Sequence, residues 1–254
     1  MTNFIFGYTS VTVGALYLVL ATWVLREIRS SRGPLAIGFI AAFTTCAIHH
    51  LLHAHHLLGG YVEADLAEGL SMIGSMIPSA LYLRFRFNAA IGRPADQELD
   101  GVSSRAIGLL VASIAASGGF MVWVVTRAAG RFGELDAWAL GPGLATFTAF
   151  LAVSWILAMA QVRRFRTDGV VSASAIAFTA LFFTCSLSHF AYAFGRVETD
   201  WHMAVGDAAG VVGSASLLII VAGLRRANHR RYASTVGGAR VRDTRVTPPW
   251  VSAG

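Results

Sequence analysis

Two copies of one short pattern carry the most reactive side chains of this sequence: Cys46-x3-His50 and Cys185-x3-His189. On an α-helix, residues i and i+4 lie on one face about one turn apart, so each pair makes a sulfur and imidazole clamp. Two such clamps facing each other give a Cys2His2 donor set suited to Cu(I) or Zn(II), and soft thiolates in apolar surroundings favour Cu(I). A competing use of the same positions is haem b, with His50 and His189 as axial ligands, which leaves the cysteines without a role. Plain packing is the third reading, since a buried free Cys behaves as a small hydrophobe. A disulfide between the two cysteines is a fourth.

The segment after Cys46 continues with His49, His50, His53, His55 and His56. At 100° per residue, Cys46, His49, His50, His53 and His56 fall within an arc of roughly 120°, while His55 points elsewhere. That face is a ladder of nitrogen ligands for acquiring metal or relaying protons, or else a polar cap at a membrane interface. Glu68 and Asp207 open the apolar runs that follow each clamp. They act either as anions at helix N-termini or as carboxylates that orient His50 and His189. Met72 and Met76 are read as packing. No nucleophile, base and acid fall into one set, so catalysis is not expected.

The elements that position these groups follow from composition. Of 254 residues, 55% are hydrophobic and 13% charged, and the mean hydropathy is +0.60. Soluble domains carry roughly a quarter charged residues, so a soluble globular domain is excluded. Apolar runs at about 4–25, 35–59, 63–83, 106–126, 137–162, 170–195 and 202–224 predict an all-α, polytopic membrane protein of seven transmembrane helices. The first run is read as a retained span, not a cleaved signal. Basic residues follow the first run (Arg26, Arg29, Arg32), the third (Arg84, Arg86, Arg93), the fifth (Arg163, Arg164, Arg166) and the seventh (Arg225, Arg226, Arg230, Arg231). The positive-inside rule makes those ends cytoplasmic, with the N-terminus outside and the C-terminus inside a plasma membrane. The net charge of +6 therefore reports topology, and no nucleic-acid partner is expected. Every basic residue among the 20 Lys+Arg is Arg, so a retinal Schiff base is impossible.

An offset of 139 residues superposes Thr45-Cys46 on Thr184-Cys185, His50 on His189, Glu68 on Asp207 and Gly74-Ser75 on Gly213-Ser214. This predicts a parallel 3+1+3 internal repeat about an axis along the membrane normal. The first three-helix repeat is 1–90, a linker with the fourth helix is 91–135, the second repeat is 136–226, and a disordered cytoplasmic tail is 227–254.

A basic cluster after the first span, then Cys46-Ala-Ile-His-His50-Leu51 in the second, then a third span, resembles the three-helix membrane sensor unit of the ethylene receptors. Cys185-Ser-Leu-Ser-His189-Phe190 resembles it less closely. The resemblance implies that the Cys and His of the second helix bind copper and that the copper binds a small olefin. It also implies that this chain is a covalent tandem of a unit that dimerises in that family. The chain departs from the family in lacking an acid in its first span and in having no lysine. The resulting expectation is a Cu(I)-binding membrane protein, loaded from outside along His49, His53 and His56, that senses, stores or delivers the metal with a metal chaperone or membrane complex as partner. A metal or proton transporter with a central site and a cofactor-free subunit of a larger complex are the alternatives from other classes.

Overall fold

The structure is a computed structural model that describes residues 1–28, 34–62, 65–91, 98–100, 104–196 and 201–236. Among them are seven α-helices long and apolar enough to cross a membrane. They are α1 (Thr2–Ile28), α2 (Pro34–Leu58), α3 (Leu66–Ala90), α4 (Ser104–Ala128), α5 (Ala137–Asp168), α6 (Ala173–Gly195) and α7 (Trp201–Val236). Two three-residue strands, β1 (Glu98–Asp100) and β2 (Val170–Ser172), pair antiparallel. The seven expected spans are all present. Arg29, Arg32, Glu63, Arg93, Glu198, Asp200 and residues 237–254 lie outside the described residues. Helix α7 outruns its apolar stretch and stays helical through Val236, so residues 227–236 are helix where the tail was expected. Arg and Ala, both strong helix formers, recur there.

Local chemistry sets the helix ends. Asp65 Oδ1 accepts the backbone N–H groups of Ala67 (2.8 Å) and Glu68 (3.1 Å) at the start of α3. Asp136 accepts Trp138 N–H at the start of α5 (2.9 Å), and Ser172 accepts Ala175 N–H at the start of α6 (3.1 Å). These side chains satisfy donors that have no partner within the helix. Gly169, at φ +74°, ends α5 in the left-handed conformation that a Cβ disfavours.

Helix α1 packs on α2, α5 on α6, α2 on α7, α3 on α6, α1 on α3 and α5 on α7, while α4 packs on α6. Only 6% of the apolar window of α4 is buried, against a third or more for each other span. Close approach uses small residues, as expected where lipid gives no hydrophobic drive between helices. A Cβ on Gly143 would lie 2.8 Å from Ala193 Cβ and 3.2 Å from His189 O, and one on Gly213 would meet Thr45 Oγ1 and lie 3.0 Å from Ala41 O.

Side chains of α2 and α6 meet in successive rows that advance in the same direction along both helices. Phe39 lies on Phe178 (4.7 Å between ring centroids), Phe43 stacks on Phe182 (5.9 Å, 14°), and Cys46 touches Cys185. One turn further on, His49 meets His189 (4.8 Å between ring centroids). The first two rows, with Phe150 and Tyr82, make an aromatic layer. The polar rows lie between that layer and the end where α2 and α6 finish.

Candidate functional site

Cys46 is the middle residue of the 25-residue α2, about 18 Å from either helix end at 1.5 Å per residue. Its sulfur lies 3.6 Å from that of Cys185. Both are free, buried thiols. A disulfide needs about 2.05 Å, whereas two sulfurs bound tetrahedrally to one metal at about 2.3 Å lie roughly 3.8 Å apart. The ligand atoms of Cys46, Cys185 and His189 all fall within 4.8 Å of one another. The fourth member of the expected tetrad, His50, stands beside this triangle as a neighbour of the Cys185 thiol. Among the described residues, both ring nitrogens of His50 and Nε2 of His189 are buried without a hydrogen bond. Unpaired polar atoms in a membrane interior are costly, and both imidazoles neighbour the Cys185 thiol.

Around this centre lies a layer of ionisable side chains. His49 Nδ1 pairs with Asp207 Oδ1 at 2.9 Å, and the Tyr192 hydroxyl donates to Asp207 Oδ2 at 2.9 Å. His53 Nδ1 pairs with Glu68 Oε1 at 2.9 Å. The Arg196 guanidinium reaches Glu68 Oε2 at 2.8 Å and His53 Nε2 at 2.6 Å. Every member of this layer is buried. Arg196 follows the last residue of α6, and its backbone carbonyl is anchored by Asp136 N–H (3.2 Å). Burial works against its charge, but Glu68, Tyr192 and Asp65 raise its pKa above the ordinary value, so it stays cationic.

The two acids were expected to orient His50 and His189, and the structure sets them against His49 and His53 instead. The reason is angular: His49 and His53 share the α2 face toward α3 and α7, while Cys46 and His50 share the adjacent one. His56 is buried with the ladder, and His55 is exposed, in line with the helical projection. Thus the structure brings Cys46, Cys185 and His189 together with His50 beside them, and places His49 and His53 in the adjoining layer with the acids. His53 already has both nitrogens engaged.

Two members carried no usable signal in the sequence. Arg196 reads as one loop charge among others, yet it lies in the bundle at 8% exposure. Tyr17, one of two tyrosines in the first apolar run, is fully buried, and among the described residues its hydroxyl has no hydrogen-bond partner. Cys185, Cys46 and Ser79 are its polar neighbours, and its ring lies 5.7 Å from His50. No protein-family model, curated protein or solved structure matches this chain.

Proposed function

We propose that this chain is an integral membrane protein that binds Cu(I) at mid-bilayer, through Cys46, Cys185 and His189, with His50 as the adjacent fourth donor. The observation that carries the reading is the meeting of two free thiols from different helices with an imidazole, beside buried ring nitrogens that have no other partner. Thiolate and imidazole donors in a dry site are the soft set that Cu(I) prefers. The role is to hold the metal and to pass it on or report it. A bis-histidine haem has less support, because it leaves the facing thiols of Cys46 and Cys185 without a role.

A parallel 3+1+3 arrangement with the N-terminus outside belongs to this reading. Exchanging α1 with α5, α2 with α6 and α3 with α7 carries the set of packed helix pairs onto itself, leaving out α4. The offset of 139 relates the starts of α2 and α6, Pro34 and Ala173. It also relates the pair His53–Glu68 to the pair Tyr192–Asp207, each at 2.9 Å. Cys46–Cys185 and Phe43–Phe182 then sit on the pseudo-twofold axis. Gly74 and Gly213 are not alike, since only Gly213 is in close contact. The arginines that follow α1, α3, α5 and α7 support a cytoplasmic C-terminus in a cell membrane.

The test is metal analysis and an absorption spectrum of detergent-purified full chain, beside the Cys46→Ser, Cys185→Ser double variant, after loading with Cu(I) from its bicinchoninate complex. One copper per chain is expected, retained through desalting and lost in the double variant. Copper bound equally by both, or by neither, overturns the proposal, and a Soret band that survives in the variant replaces it with haem. Copper flux into proteoliposomes would replace holding with transport.

A further inference from the structure

Tyr17 is fully buried on α1, and among the described residues its hydroxyl has no hydrogen-bond partner. A buried hydroxyl in that state weakens the metal-free fold relative to phenylalanine. Its position is nevertheless closely set. The ring lies 5.9 Å from that of Phe43 and 5.7 Å from that of His50, two turns apart on α2. Three residues earlier, Gly14 lets α1 come close to α2: a Cβ there would lie 2.9 Å from Leu51 Cγ and 3.3 Å from Ala47 O. Held between two rings of α2, the Tyr17 hydroxyl lies beside the Cys185 thiol of α6 without meeting it in hydrogen-bonding geometry. Its other polar neighbour, Ser79, already donates to Ser75 O at 2.7 Å.

A neutral thiol sulfur is a weak acceptor, whereas an ionised acceptor makes hydrogen bonds about twice as strong as neutral pairs. Binding of a soft metal turns a cysteine thiol into a thiolate and releases its proton to the solvent. Two thiolates around one Cu(I) carry a net negative charge, which a bilayer interior penalises. The nearby guanidinium of Arg196 is engaged by Glu68 and His53. We infer that the Tyr17 hydroxyl is the hydrogen-bond donor to the metal-bound thiolate of Cys185, a bond made when Cu(I) binds and absent without it. The inference rests on the copper reading above and adds to that site a positioning residue outside its ligand set. The position 139 residues later is Ile156, which has no hydroxyl, so this donor has no counterpart in the second half of the chain. The two sulfurs are thereby made unequal.

The test compares wild type and Tyr17→Phe as detergent-purified full chains. Affinity is read by competition for Cu(I) against bicinchoninate, the metal–sulfur bond by ultraviolet absorption of the loaded protein, and stability by thermal unfolding of the metal-free protein. Loss of an outer partner of a metal ligand lowers affinity by about 10- to 100-fold, so Tyr17→Phe is expected to bind Cu(I) at least about tenfold more weakly at unchanged stoichiometry. Its thiolate-to-copper absorption should move to longer wavelength, because the hydrogen bond draws electron density from the sulfur. Its metal-free form should melt about 2–4 °C above wild type, since no bond is lost there. A residue that merely packs would not weaken the loaded state while strengthening the empty one. Equal affinity in the two chains, or an unmoved absorption band, overturns the inference. So does a metal-free midpoint below wild type, which would put the hydroxyl in a bond to Ser79 before any metal arrives. Failure of wild type itself to take up Cu(I) brings down the copper reading and this inference with it, a result distinct from equal binding by both chains.

Discussion

Replacement of Arg196 by Met tests the charge balance of the buried layer without reference to any metal. Arg196 reaches the Glu68 carboxylate at 2.8 Å, and Glu68 is only 2% exposed. Met fills similar volume and removes the arginine paired with that acid, leaving His53 as its partner among the described residues. Breaking a buried pair from one side costs about 3–5 kcal/mol, whereas removing both charges is often neutral. For a chain of this size 1 kcal/mol moves the melting temperature by about 2–4 °C, so Arg196→Met is expected to melt roughly 10 °C below wild type. The double variant Arg196→Met, Glu68→Gln should recover most of that loss. The chain carries its own reporter, since Cys46 and Cys185 are both buried and free. A thiol-reactive fluorogenic dye therefore brightens only as the bundle opens, and a heating ramp in mild detergent reads the midpoint. A melt for Arg196→Met within 2 °C of wild type would refute the reasoning, and so would a double variant no more stable than the single.

Two paired substitutions test helix contact and burial by the same assay. Gly213→Ala puts a Cβ against Thr45 and 3.0 Å from Ala41 O, overpacking of the kind that costs about 1–3 kcal/mol. Gly74→Ala, at the position 139 residues earlier, meets nothing within 4 Å and gains up to about 1 kcal/mol of helix propensity. Opposite shifts in melting temperature are therefore expected, and shifts of the same sign would count against the α2–α7 packing. Tyr17→Phe removes a buried, unpaired hydroxyl and keeps the ring, so the metal-free chain should be more stable by about 1 kcal/mol. A lower midpoint would mean that the hydroxyl is bonded.

The seven spans were legible because an apolar stretch long enough to cross a bilayer is a one-dimensional signal. The meeting of Cys46 with Cys185 was legible through the 139-residue offset, since matching Cys, His and acid together in two places is hard to achieve by chance. Partner choice was not, because it depends on a 100° step: moving from His50 to His49 changes which helix the ring faces, and so which acid it meets. Arg196 was hidden for a different reason. It follows Gly195 at the end of α6, and nothing in one dimension tells an arginine that folds back into the bundle from one that reaches out to water. Tyr17 has no patterned neighbours at all, and only the packing of α1 on α2 brings its hydroxyl near the thiols.

The aromatic layer formed by Phe39, Phe43, Phe178 and Phe182 below the thiols has an electrical consequence. Polar rows extend from the centre toward one end of the bundle and apolar rings toward the other, so the resistance of the protein to ions is concentrated in that half of its thickness. A monovalent cation that reaches Cys46 from the polar end has crossed about half of the transmembrane field. With roughly 2.3 kcal/mol per elementary charge per 100 mV across the whole bilayer, occupancy of the centre shifts about sevenfold per 100 mV. On the copper reading proposed above, filling of the site would depend on membrane voltage as well as on ion concentration.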